Sequence, residues 1–200
     1  IPEDKKVVIL SASPLRFIYQ KLYGERVEIV DFPDVESKGK IIQNTFKSYS
    51  RSSMNKLNKE ELGKLLKSDC FITFKKQKKK LGEASYDVHF GMTTGFDKLK
   101  GKDLTIIGTP HFHPICYELI AAAIGHNITE RPKILLQRVV RKGLRYMFPT
   151  FADTVLREIQ LSLIEAELIQ AAGRARTLRT DATVTIYSNL PITLTTKFVF

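Results

Sequence analysis

The chain has 200 residues, 43% of them hydrophobic and 26% charged, and carries a net charge of +11. That length allows one well-buried domain with a small extension, and the balance excludes a disordered chain. No apolar run approaches the ~20 residues of a membrane-spanning helix, and the basic excess favours a polyanionic partner, nucleic acid ahead of a membrane surface.

Val7–Leu10 is a continuous apolar run followed by Ser-Ala-Ser-Pro, which predicts a buried parallel strand ending in a loop. Leu15–Tyr23 places Leu15, Ile18, Tyr19 and Leu22 on one helical face, with Gly24 as the stop. Val27–Phe32 predicts a second strand, Ile41–Phe46 an edge strand, and Glu60–Leu66 a short helix. Cys70–Phe74 predicts a further strand and Lys75–Leu81 a basic helical turn or two. Tyr86–Phe90 and Leu104–Gly108 read as strands, the second apolar enough to be central.

After Pro114 an apolar helix is expected through Ala123, closed by Gly125. Ile134–Phe148 alternates in two runs around Arg141-Lys142-Gly143, a hairpin pattern. Its role is either a strand-separating wedge or an edge of the main sheet, and the edge is the reading preferred. Thr150–Ala172 predicts a long helix, broken at most once, and Thr183–Tyr187 the last clear strand. Strands alternating with helices imply an α/β fold, a mainly parallel central sheet with helices on both faces, plus a β-hairpin insertion.

The start of the chain lacks the layout of a signal peptide, and without an initiator Met it reads as a piece of something longer. Cys70 and Cys116 form no close-spaced pair, so a reduced, cytoplasmic protein is expected, although a disulfide between them stays open.

The segment richest in chemistry is Gln170–Arg179, QAAGRARTLR. A helix ending at Gly173 delivers a cluster of guanidinium groups, each a permanently charged fork of donors suited to a phosphate that gains charge during transfer. The plainer alternative is a helix end with basic residues placed favourably against its dipole. The glycine break and the tight clustering of arginines weigh against it. The pattern QxxGR, after a long helix and before a strand, resembles motif VI of superfamily 2 helicases, in the wording of the DinG/XPD and UvrB-type branches. Gln170, Gly173 and Arg174 match by position. Thr177 stands where the family has its final Arg, so Arg176 or Arg179 would take that role.

Other segments follow the family's order. Gly91-Met-Thr-Thr-Gly-Phe-Asp97, ahead of the apolar strand and GTPHFHP, resembles motif V, with Gly95 and Asp97 as its GxD. A glycine there lets backbone approach a ligand, and the carboxylate can accept from ribose hydroxyls or hold an arginine. Alone, GxD is also an ordinary turn. Leu10-Ser11-Ala12-Ser13 resembles motif III, and Phe71–Phe74 with the lysines after it resembles motif IV. Those lysines could meet phosphates or form a solvated helix face. The longer wording is similar to helicase-like proteins carried by bacterial mobile elements.

The resemblance implies a RecA-like second lobe spanning residues 15–200, with 1–14 the last strand of a preceding lobe or the first of this one. It implies arginine fingers at Arg174 and at Arg176 or Arg179, with Gln170, Gly173, Gly95 and Asp97 on the nucleotide side. Thr73, Lys75, Lys76, Thr109 and His111 would meet nucleic acid, DNA in preference to RNA, and Ser11 and Ser13 would couple the lobes. ATP and Mg2+ would be bound mainly by an N-terminal lobe. The chain carries no GxxxxGK[ST] loop and no acidic box, so by itself it should not hydrolyse ATP. His111, His113 and Cys116 match no common zinc spacing, and no metal is expected. A Cys116 nucleophile paired with His89 is weaker still, because the helix around Cys116 is apolar. The rival functions are a helicase-like binding module without motor activity, and a nucleotide-dependent transferase on the same kind of sheet.

Overall fold

The computed structural model describes residues 6–11, 13–31, 35–82, 86–141 and 143–199. Seven strands and six α-helices are found among them: α1 Arg16–Tyr23, β1 Lys40–Asn44, α2 Arg51–Asn55, α3 Lys59–Gly63, β2 Cys70–Ile72, α4 Lys75–Leu81, β3 Leu104–Ile107, α5 Pro114–Ala123, β4 Ile134–Arg141, β5 Leu144–Phe151, α6 Thr154–Ala172, β6 Thr183–Tyr187 and β7 Lys197–Val199. Five strands form one sheet in the order β2-β3-β6-β1-β7, and each pairing in it is parallel. Helices flank this sheet, and the architecture is that of an α/β, RecA-like fold with an added hairpin.

The apolar strands build the core directly. All of β3 is buried, and Ile72, Leu104, Ile106, Val184, Ile186 and Ile41 join one cluster with Leu161, Ile164 and Leu168 of α6. Helix α6 is buried on several sides, as expected for a helix enclosed by sheet, hairpin and α5. Asp153 caps it, accepting from Leu156 N at 2.8 Å. It runs unbroken, and starts after Phe151 because Thr150 and Phe151 complete β5.

Several expectations are corrected. Val7–Leu10 is not a strand, and Val8 and Leu10 are each 83% exposed. Residues 27–31 form no strand either, and Phe32 lies outside the described residues. Both runs have the apolar content of strands, but neither joins a ladder of either sheet. Between them they line a groove of about 570 Å³.

β1 is interior rather than an edge, lying between β6 and β7. Its polar residues suggested solvent, yet Gln43 is wholly buried. Its amide donates to Ser188 O at 2.9 Å and Leu190 O at 2.6 Å, and its oxygen accepts from Ile192 N and Thr195 Oγ1. A buried amide with its capacity met this fully carries little desolvation penalty. The middle of the sheet is β6, with β3 beside it.

Tyr86–Phe90 is not a strand. Its carbonyls are held by a side chain instead: the buried Lys78 amine donates to Tyr86 O and, at 2.7 Å, to Val88 O. Burial pulls the Lys78 pKa down, against the pull of Asp87. The β4–β5 hairpin is a separate antiparallel sheet and not an edge of the main one. It packs on α6, where Arg141 pairs with the buried Glu165 at 2.7 Å. The short β7 is a strand that the sequence pattern did not disclose.

Candidate functional site

Because the main sheet is parallel, segments that enter its strands gather at one edge and segments that leave gather at the other. The QAAGRARTLR turn precedes β6, the Gly95–Asp97 loop precedes β3, and Gly39 precedes β1. All three therefore meet at the amino edge.

Helix α6 gives way to a 3-10 turn at Gly173–Ala175. Arg174 folds back so that its Nε donates to Gln170 O at 3.3 Å, and Ala175 is buried. Arg176 then adopts φ 58°, ψ 42°, a left-handed conformation that non-glycine residues rarely take. Its carbonyl accepts from Arg179 N at 2.8 Å and Thr180 N at 3.1 Å, which fixes the turn. This geometry aims the Arg176 guanidinium at Asp97, whose Oδ1 accepts at 2.7 Å.

Asp97 and Arg176 lie 79 positions apart in the chain. The Arg176 hydrogen bond, and then its charge, holds the Asp97 carboxyl below its usual pKa, with Arg174 and Lys100 adding to the effect. A second tie supports the first, since Gly101 N donates to Ala175 O at 3.0 Å. Gly95 has φ 71° and open space beside its Cα, so backbone is presented bare on that loop. Gly91 N donates to Glu167 Oε1 on α6.

Thr177 is only 6% exposed, and its carbonyl accepts from Gly39 N at 2.9 Å and Ser37 Oγ at 3.1 Å. The position where an arginine was expected therefore faces the scaffold. Gly39 is held tightly there: a Cβ on it would meet Ala182 O, and Thr180 O at 2.7 Å. Arg176 and Arg179 are exposed, while Arg174 and Gln170 are half-buried.

The residues expected to meet nucleic acid fall at the opposite, carboxyl edge. Lys75 and Lys76 are exposed on α4. Thr73 and Thr109 have buried side chains committed inward, Thr73 Oγ1 to Ile107 O at 2.8 Å and Thr109 Oγ1 to Ser188 Oγ and Asn189 Oδ1. The His111 ring stacks on Phe148 with centroids 5.3 Å apart, and its Nε2 is buried without a hydrogen-bond partner. Burial, with a smaller contribution from Arg51, draws its pKa down to about 4. His113 caps α5, and His111, His113 and Cys116 make no metal-holding group among the described residues. Cys70 and Cys116 are free thiols.

Ser11 and Ser13 lie before α1, where Ser13 N donates to Ser11 Oγ at 3.3 Å. Ser11 lines the groove formed with residues 27–31, whose lining includes no residue of the arginine turn. Sequence reasoning passed over Phe46, Lys47, Arg51, Arg145 and Asn189, which also border the carboxyl edge. The only signal for them was position, because ligands of open α/β sheets gather beyond the carboxyl ends of strands.

Compared with known proteins, the chain matches no family model, no curated protein and no solved structure. No helix among the described residues is long and apolar enough to cross a membrane.

Proposed function

We propose that the chain is the C-terminal motor lobe of an ATP-dependent, superfamily 2-like helicase or translocase, cytoplasmic and acting on DNA in preference to RNA. One observation carries this reading: the Asp97–Arg176 ion pair joins two distant segments that the resemblance assigns independently to one nucleotide site. A permanently charged fork, a bare glycine loop and a carboxylate that can exchange an arginine for ribose hydroxyls are the groups such a site needs.

On this reading ATP and Mg2+ are held mainly by a partner lobe that supplies the phosphate loop and acidic box. Arg174 and Arg176 reach across to the phosphates as charge builds during transfer. Arg176 is preferred to Arg179 as the second finger because its side chain is already tied to Asp97. Gln170 and Gly173 set the turn from which both project.

The test is Arg174→Ala in the full-length protein. Nucleic-acid-stimulated ATP turnover should fall by about 10³-fold or more with folding intact, the scale of a lost arginine finger. Near-wild-type turnover would sink the proposal. The purified 200-residue chain should show no ATPase, and robust hydrolysis by it would show that the fold has been misread.

A further inference from the structure

The carboxyl edge of the sheet differs in charge from the amino edge. The segments that border it are 45–51, 73–76, 108–113 and 188–193, with the hairpin tip 144–146 beside them. They carry Lys47, Arg51, Lys75, Lys76 and Arg145, and not one carboxylate. The cations spread from the end of β2 to the end of β1, roughly 14 Å at about 4.8 Å per strand step.

Within this edge lies a groove of about 240 Å³, lined by Thr45, Phe46, Arg145, Tyr146, Asn189 and Pro191 with Leu144. Phe46 is 77% exposed, a large apolar ring left in solvent immediately after an interior strand. Asn189 lines the groove, and its side-chain oxygen accepts from Thr109 Oγ1 at 3.1 Å. The Tyr146 hydroxyl is buried in the groove wall without a hydrogen-bond partner. An exposed ring, an asparagine and an arginine on a strip whose own segments carry only cations, with Glu165 tied to Thr193 at its border, are the groups that suit a base and its phosphate.

We propose that this groove takes one base of a single-stranded nucleic acid, stacked on Phe46 and read at its edge by Asn189. Arg145 and Lys47 hold the flanking phosphates, and Arg51 and Lys75 carry the strand on toward the end of β2. The inference rests on the nucleic-acid part of the function proposed above, and it locates the strand on residues which, Lys75 apart, that reading does not use.

The chain contains no tryptophan, so Phe46→Trp places a unique fluorophore in the groove. Leu178→Trp is the control, at a position 53% exposed on the amino edge. With the full chain at low salt, oligo(dT) or oligo(U) should quench the Phe46→Trp variant to saturation and leave the Leu178→Trp variant unchanged. Phe46→Ala should weaken binding about ten-fold with an unchanged salt slope, and Phe46→Tyr should restore it. Arg145→Ala should instead reduce the slope of log affinity against log salt by about 0.7.

Binding that leaves the Phe46→Trp fluorescence unchanged, quenching confined to the Leu178→Trp variant, or no binding at low salt each overturns the proposal. These outcomes are separable from those at the arginine turn. A silent groove fluorophore leaves the ATPase test of Arg174 standing, and quenching in a protein whose turnover ignores Arg174 leaves the groove standing.

Discussion

The two edges of the parallel sheet are built from opposite kinds of chemistry. At the amino edge, cations and carboxylates are mixed: Arg174, Arg176, Arg179, Lys100 and Lys102 stand among Asp97, Asp103 and Asp181. At least one of those arginines is already matched within the chain. At the carboxyl edge the cations have no carboxylate among the segments that carry them. A mixed edge suits a small, exchangeable anion whose place an internal carboxylate can hold in its absence. An unmatched edge suits a long polyanion that neutralises many cations at once.

That contrast can be broken or sharpened by mutation. After Arg174→Ala, the largest effect is expected from Arg176→Ala in the full-length protein, which should lose ATP turnover by about 100-fold or more, while Arg179→Ala loses less than about ten-fold. Equal losses would dissolve the distinction between a matched and an unmatched arginine. Next is Gly39→Ala. Its Cβ would press on Ala182 O and Thr180 O, so the amino edge should open at a cost of about 3 kcal/mol, read by chemical denaturation. A neutral result would mean that the 177–182 turn shifts freely.

The carboxyl edge has its own acid signature. The folded His111 pKa is depressed to about 4 from an ordinary value near 6.5, so unfolding takes up a proton between those values. Stability linked to His111 is therefore complete above about pH 6.5, is lost as pH falls toward 4, and amounts to about 3 kcal/mol over that window. His111→Phe, which keeps a ring against Phe148, should flatten that component of the denaturation profile. An unchanged profile would mean that the imidazole titrates in contact with water.

The smallest effect belongs to Asp97→Asn. Both partners of the Arg176 pair are exposed, so the melting temperature should move by less than about 2 °C. A larger drop would make the pair part of the scaffold instead of part of a site.

Much of the fold was legible in the sequence, and what was missed has identifiable physical causes. β3, α5, α6, β6 and the hairpin declare themselves because apolar period and turn residues agree along each. Ile41–Phe46 was expected at an edge, and β1 lies inside because Gln43 finds four hydrogen bonds there that sequence does not display. Val7–Leu10 misled in the opposite sense, because apolar content does not specify a partner strand. Lys78 belonged to a run of lysines that looks uniformly solvated, and only the packing shows it turned inward to two carbonyls. At the site, the residues of the arginine turn were nameable in advance, as was an aspartate able to hold an arginine, but that Arg176 is the arginine it holds was not. It depends on a left-handed backbone at Arg176 that no residue preference foretells. Thr177 was visible as an anomaly and is explained by its burial.

Helix α6 has a mechanical consequence. It leaves the base of the hairpin at Asp153 and ends at the arginine turn. Its 19 residues include neither proline nor glycine, so it is a stiff rod about 28 Å long. Arg141 of the hairpin is bolted to its middle through Glu165. One unbroken helix therefore joins the hairpin that borders the carboxyl edge to the guanidinium groups of the amino edge.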